Sequence, residues 1–327
     1  MSGSRRTLLL AAAAAACGIG PAGPARAQAR FPERAVRIVV PYAVGVGPDV
    51  VSRMLAERLT RAWNQPVIID NKPGASGIVA FGDVRRVPPD GHTLYLADSG
   101  TMCVNPLLHD TLPYDPGRDL APLTLLFRAT FVVMAGGGSR FTSLAQLLEA
   151  ARQPGRVTYA SLGHGHPSQV AVETLARAAG VQLLHVPFKD AGALLTAVSS
   201  GEVDFTTFSM NTVAGLVQRG RIRPLAVAAR QRLAEHPDLP TLAEAGGPDL
   251  ELRPWAGLVA PAAVPEALQA RLQQDLYAAI DTPDMRTRTQ PLGFELIPST
   301  ARQMRERIEA DSAVYAPLVR EGRVSKV

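Results

Sequence analysis

Five short loops hold most of the residues whose types and spacing could do chemistry, and each mixes glycine with hydroxyl or other polar side chains. The first is Pro41-Tyr42-Ala43-Val44-Gly45-Val46-Gly47-Pro48-Asp49, between a β-branched run and an amphipathic one. Free N–H groups at a helix start, at the positive end of its dipole, suit a carboxylate or a phosphate. The loop is not a dinucleotide fingerprint, because Gly45 and Gly47 are followed by Pro48-Asp49, and no Gly-Lys-Ser/Thr of a phosphate loop follows. The second is Ser161-Leu162-Gly163-His164-Gly165-His166-Pro167-Ser168-Gln169, where glycines let the backbone approach a ligand and Ser161 and Ser168 add donors. The third is Val186-Pro187-Phe188-Lys189-Asp190-Ala191-Gly192; Lys189 there either neutralises a carboxylate or forms an ordinary surface pair with Asp190. The last two are Pro73-Gly74-Ala75-Ser76-Gly77 and Asp98-Ser99-Gly100-Thr101. A plain turn accounts for any one of these loops; five together point to a ligand.

Signatures of catalysis and of metal binding are missing. There is no G-x-S-x-G elbow, no H-E-x-x-H and no suggestive carboxylate pair. A Ser-His-Asp set assembled from distant positions would leave no such signature. His164 and His166 flank a glycine with no third ligand at a standard spacing, and His92, His109, His185 and His236 are scattered, so no metal and no cofactor are expected.

Composition narrows the class. Of 327 residues, 34 are Lys or Arg and 29 are Asp or Glu. Residues 1–29 hold Arg5, Arg6 and Arg26 and no acid, so the remainder is close to neutral, and no nucleic-acid partner is expected. Only Cys17 and Cys103 are present, which excludes a disulfide scaffold. The order Arg5-Arg6, an apolar run from Leu8 to Ile19, then Ala27-Gln28-Ala29 reads as a secretory signal peptide cleaved after Ala29, with Ala27 the alternative. Arg5-Arg6 fits a twin-arginine signal as well as an ordinary one, and Cys17 loosely mimics a lipoprotein site. The apolar run falls short of the roughly 20 residues that span a bilayer. A periplasmic chain that does not span the membrane is expected, with Cys103 a buried, inert thiol.

The elements that must position the loops alternate. Strand-like runs at 36–41, 66–70, 93–97, 122–127, 131–135, 157–160, 183–187, 203–208 and 224–228 are separated by helix-like ones. In the first helix, Val50, Met54, Leu55, Arg58 and Leu59 fall near one face. The alternation predicts an α/β protein with parallel sheets covered on both faces. The pattern breaks near Phe127–Phe131 and again near Leu252–Trp255, so two interdomain crossings are expected. One domain is then 30–127 plus 254–327, the other 128–253.

The ordered motifs Val39-Val40-Pro41-Tyr42, Pro66 through Ala75, Pro89-Asp90-Gly91-His92, Asn105-Pro106, Leu112 through Pro116, Tyr159-Ala160-Ser161, His185 through Lys189, Gly201 through Asp204, Pro240 through Gly246 and Trp255 through Pro261 cover nearly the whole mature chain. In this order the sequence resembles the tripartite tricarboxylate transporter solute-binding family, also called the Bordetella uptake gene family. The resemblance implies a two-domain, periplasmic-binding-protein-like fold of type II, the Venus flytrap kind. It implies a receptor that closes on a small carboxylated anion and delivers it to transporter membrane subunits; a partner sensor kinase is the alternative, and a periplasmic hydrolase using a cleft histidine the remote one. Ligand contacts carried over are Tyr42, Ala43, Val44, Gly45, Asp49, Ser76, Ser99, Gly100 and Thr101 on one side, and Ser161, Gly163, His164, Gly165, His166, Ser168, Gln169, Phe188 and Lys189 on the other.

Departures from the family bear on the ligand. Val46 interrupts the usual glycine run, Pro48 removes a hydroxyl and an N–H, and His164 and His166 stand where small or amide residues are common. The stretch Phe205 through Met210 lacks the Asp that meets an amino group, which disfavours an amino-acid ligand. Phe208 and the imidazoles point instead to an apolar or aromatic body, or to a second carboxylate.

Overall fold

The computed structural model describes residues 31–326; the expected signal peptide, with Cys17, lies outside the described residues. A short N-terminal unit ends at Glu33 and the body of the fold begins at Arg34. In the body the order is Val36–Val40 (β1), Gly47–Trp63 (α1), Val67–Asn71 (β2), Ile78–Val84 (α2), Thr93–Asp98 (β3), Asn105–Leu108 (α3), Pro116–Asp119 (α4), Leu120–Ala129 (β4) and Val132–Gly136 (β5). Leu144–Ala150 (α5), Thr158–Ser161 (β6), Pro167–Ala178 (α6), Leu184–Pro187 (β7), Ala191–Ser200 (α7), Phe205–Phe208 (β8), Met210–Gln218 (α8) and Ile222–Val227 (β9) follow. The chain closes with Trp255–Pro261 (β10), Glu266–Ile280 (α9), Pro283–Thr289 (α10), Phe294–Leu296 (β11) and Ala301–Arg320 (α11).

The strands form a six-stranded sheet, β11-β4-β10-β3-β1-β2, and a five-stranded sheet, β7-β6-β8-β5-β9. The chain passes from the first sheet to the second between β4 and β5, and returns between β9 and β10. The sheets are mixed rather than parallel. β1 pairs in parallel with β2 and β3, and β6 with β7 and β8, whereas β10 lies antiparallel to β3 and β4, and β5 antiparallel to β8 and β9. The reversal follows from the crossings: a strand that enters from the other sheet arrives without the helical crossover that enforces parallel pairing. β9 can hold Pro224 because it is an edge strand and its register with β5 shifts there.

Burial of β3 and β5 is continuous, as for strands covered on both faces. The buried stripe of α1 is Asp49, Val51, Ser52, Leu55, Ala56, Leu59 and Trp63, rotated from the expected one that held Val50, Met54 and Arg58. The helix packs on α9 and α10 as well as on β2, and its polar residues go inside because they are satisfied, Ser52 Oγ donating to the Pro48 carbonyl at 2.7 Å. Val104, Leu108, Val170, Leu318 and Val324 make an apolar cluster where α6, on the five-stranded sheet, meets α11, which packs on β4 of the six-stranded sheet.

Candidate ligand-binding cleft

Each candidate loop leaves the carboxyl end of a strand from one of the two parallel sets, β1, β2 and β3 or β6 and β7. This is where an open α/β sheet binds its ligands.

In the loop after β1, Asp49 is buried and its carboxylate is fully engaged. Oδ2 accepts from Gly45 N at 2.8 Å and Arg53 Nε at 3.0 Å, and Oδ1 accepts from Asn71 Nδ2 at 2.8 Å. Asn71 also donates to the Tyr42 carbonyl at 3.0 Å. Asp49 therefore shapes the loop. Burial opposes its charge, but hydrogen bonds from Arg53, Gly45 and Asn71 outweigh burial and hold its pKa below the usual carboxylate range. The Tyr42 hydroxyl donates to Asp98 Oδ2, and Asp98 Oδ1 accepts from Thr101 N at 2.7 Å and Thr101 Oγ1 at 2.9 Å. Burial and then the charge of Asp98 push the Tyr42 hydroxyl well above its ordinary value, so it stays a neutral donor. Gly100 and Thr101 are buried in a π-helical turn, Gly100–Val104, while Ser99 lies beside the Tyr315 hydroxyl and lines a separate cavity of about 120 Å³ with Arg307 and Asp311.

On the other side, one hydrogen-bond chain organises the loop after β6. Gly165 N donates to Gln169 Oε1 at 2.8 Å, which turns the Gln169 amide nitrogen towards His185 Nδ1, 3.2 Å away. Nδ1 is thus the acceptor, and Nε2 carries the proton and donates to Ser161 Oγ at 2.6 Å. Ser161 Oγ in turn donates to the Gly163 carbonyl at 3.1 Å and accepts from Gly163 N at 3.2 Å. His166 caps α6, its Nδ1 accepting from Ser168 N at 3.2 Å and from the Ser168 hydroxyl at 2.8 Å. Burial pushes His166 down to about 4, against the pull of the Asp98 charge; burial and then His164 push His185 to about 4. Both rings are neutral at pH 7.

The two sides touch. Ser76 Oγ donates to the His164 carbonyl at 3.0 Å, and Asn105 Nδ2 holds the Ser76 carbonyl at 2.9 Å. A Cβ added to Gly165 would lie 2.7 Å from Leu108 Cδ1, and one added to Gly100 would lie 3.3 Å from both the Gly165 carbonyl oxygen and Pro167 Cδ. Tyr42 hydrogen-bonds Asp98 and His166 feels its charge, so the loops after β1 and β6 flank one carboxylate. The N–H groups of Ala43, Val44 and His164 and the Nε2 of His166 make no hydrogen bond to the described residues.

The remaining candidates divide. Phe188 is half-buried against the second sheet's core, and its N–H donates to the Ser161 carbonyl at 2.8 Å. Lys189 is exposed, and Asp190 does not pair with it but caps α7 by accepting from Ala193 N at 2.9 Å. Phe208 packs on the same core as Phe188. Four organising residues were not among the expected contacts: Asn71, Asp98, Asn105 and His185. Asp98 stood at the head of a candidate loop, but nothing in the spacing of a lone strand histidine such as His185 marks it. Among the described residues no group of three or more His, Cys, Asp or Glu is placed to hold a metal, and no helix is long and apolar enough to cross a membrane. Cys103 is buried, and burial raises its thiol.

Two sheets joined by two crossings, with facing loops at their strand ends, define a two-domain solute-binding protein. Residues 51–323 match the tripartite tricarboxylate transporter family receptor, TctC, and the chain belongs to that family. It is 30% identical over 297 residues to the UPF0065 protein in the tcbD-tcbE intergenic region of Pseudomonas sp. (strain P51), covering 90% of this chain and 88% of that one. A Rhodopseudomonas palustris protein with adipate superposes with a TM-score of 0.83 at 28% identity, covering 91% of this chain and 100% of that chain. MatC of the same organism, with bound malate, gives 0.78 at 29%, covering 88% and 99%.

Proposed function

We propose that this chain is a periplasmic receptor that captures a small dicarboxylate in the cleft between its two domains and delivers it to a tripartite tricarboxylate-type membrane transporter. The observation that carries the reading is the set of unspent neutral donors on the facing loops: the N–H groups of Ala43, Val44 and His164, and His166 Nε2. Preorganised neutral donors aimed at an ionised oxygen are strong once water is excluded. The charge of Asp98 does not oppose an anionic ligand strongly, because Tyr42 and Thr101 already donate three hydrogen bonds to it. Lys189, exposed and without an ion pair, is the cation for a second carboxylate. The adipate and malate held by two structural neighbours are consistent with that class. The jaws are taken as residues 30–127 plus 254–327 and residues 128–253, and export as directed by residues 1–29.

Hydrolysis is disfavoured by the wiring of Ser161. A serine nucleophile needs a base to accept its proton, but His185 donates to Ser161, and Ser161 spends its own proton on the Gly163 carbonyl. Denaturing the purified protein and identifying the released small molecules by mass spectrometry tests the reading. A dicarboxylic acid is expected; an amino acid, or a compound chemically altered during incubation, contradicts it.

A further inference from the structure

Behind the ligand loop lies a second polar chain that touches none of the cleft donors. Tyr159 is fully buried and stacks on His185, with ring centroids 4.9 Å apart and planes at 23°. Its hydroxyl donates to Glu173 Oε1 at 2.6 Å. Glu173 is buried in α6, and its other oxygen faces Arg323 Nη1 at 3.8 Å. Arg323 belongs to the tail that follows α11, and therefore to the six-stranded side; the same Nη1 donates to the Val181 carbonyl at 3.0 Å. Val324, the next residue, is buried in the apolar cluster that joins α6 to α11.

We infer that Glu173 is a positioning residue for the ligand loop: faced by Arg323 from the opposite domain, it fixes Tyr159, which holds the His185 ring in the plane that bridges Gln169 and Ser161. Those two side chains define the turn, Gln169 by accepting from Gly165 N and Ser161 by bonding both polar groups of Gly163. A carboxylate costs free energy inside a helix interface unless it is well partnered. Here its partners are one hydroxyl on the ligand-loop side and one guanidinium from across the domain junction. The chain is complete only when the tail of α11 lies against α6, so the shape of the ligand loop is tied to the arrangement of the two domains.

The inference rests on the proposed dicarboxylate reading only for its binding arm, so two measurements are paired. Hydrogen exchange of the Gly163 and Gly165 amides, the two that are bonded within the turn, is measured in the ligand-free full chain, and adipate affinity is measured by calorimetry. Glu173→Leu packs the site without an acceptor and is expected to speed exchange at these amides and to weaken adipate roughly tenfold, the size of a coupling within one network. Glu173→Gln keeps an oxygen for Tyr159 and is expected to lie much closer to the parent on both measures. Tyr159→Phe is expected to behave like Glu173→Leu. Unchanged exchange at Gly163 and Gly165 in both Glu173→Leu and Tyr159→Phe overturns the inference, as does an equal loss in Glu173→Gln and Glu173→Leu. If the parent fails to bind adipate while exchange responds as stated, the ligand reading falls and the positioning role stands.

Discussion

Ser76, on the turn after β2, donates a hydrogen bond of 3.0 Å to the carbonyl of His164, on the turn after β6, and so ties the two sides of the cleft together. The bond comes from a strained segment. Ala75 and Ser76 sit at φ +45° and +48°, between Gly74 and Gly77, which also have positive φ. Non-glycine residues occupy that region at a cost of roughly 1–2 kcal/mol each. Asn105 holds the turn in place through the Ser76 carbonyl.

Replacing Ser76 separates strain from contact. Ser76→Gly removes the hydroxyl but relieves the backbone, so it is expected to raise the melting temperature of the free protein while speeding ligand release several-fold, in line with the loss of one hydrogen bond worth about 1 kcal/mol. Stopped-flow dissociation and thermal unfolding check the two halves. Slower release, or release at the parent rate, contradicts the latch.

Gly165 and Gly163 make a controlled pair. Both have positive φ, +72° and +107°, but an added Cβ meets Leu108 at 2.7 Å only at Gly165. Gly163→Ala therefore carries backbone strain alone, about 1–2 kcal/mol. Gly165→Ala must also push Leu108 aside, and so separates the two walls. Titration calorimetry on both variants is expected to give the larger affinity loss for Gly165→Ala.

Asp49→Ala is expected to unhinge the loop after β1. It removes the acceptor that Gly45 N, Arg53 Nε and Asn71 Nδ2 share, although Gly45 is exposed and Asn71 keeps the Tyr42 carbonyl, a loss of roughly 1–3 kcal/mol. Urea unfolding measures the stability, and ligand titration should show a concurrent loss of binding although Asp49 has no carboxylate oxygen to spare for the ligand.

The neutral histidines set an acid limit. His166 and His185 have folded pKa values of about 4 against an ordinary 6.5, so the unfolded chain binds protons first as the pH falls. Their contribution to stability is complete above about pH 6.5, declines through the interval down to about 4, and changes no further below it. His166→Ser keeps a capping acceptor and removes one titrating ring. Unfolding midpoints between pH 7 and 4 should fall less steeply in this variant than in the parent.

The loops were readable in the sequence because glycine and hydroxyl residues at strand ends have a local physical cause: the backbone must turn sharply and leave donors free. Tyr42, Ser161, Gly163 and His166 were marked by that cause. His185 was not, since its importance comes from Gln169 and Ser161 on other elements. The direction of β10 was also hidden, because it depends on the chain returning from the second sheet and not on any residue within Trp255–Pro261. The rotation of α1's buried face escaped for a related reason: Asp49 and Ser52 are polar residues that go inside on the strength of hydrogen bonds, which hydrophobic periodicity does not register.

The proposed receptor grips ionised oxygens with neutral donors. Calorimetric titration of the mature protein with adipate and with adipamide, its uncharged diamide, tests this most directly, because the pair differ in charge far more than in shape. One-to-one binding of the diacid with little or no binding of the diamide is predicted. Equal binding of both, or diacid affinity left unchanged by both Lys189→Ala and Gly165→Ala, would contradict it.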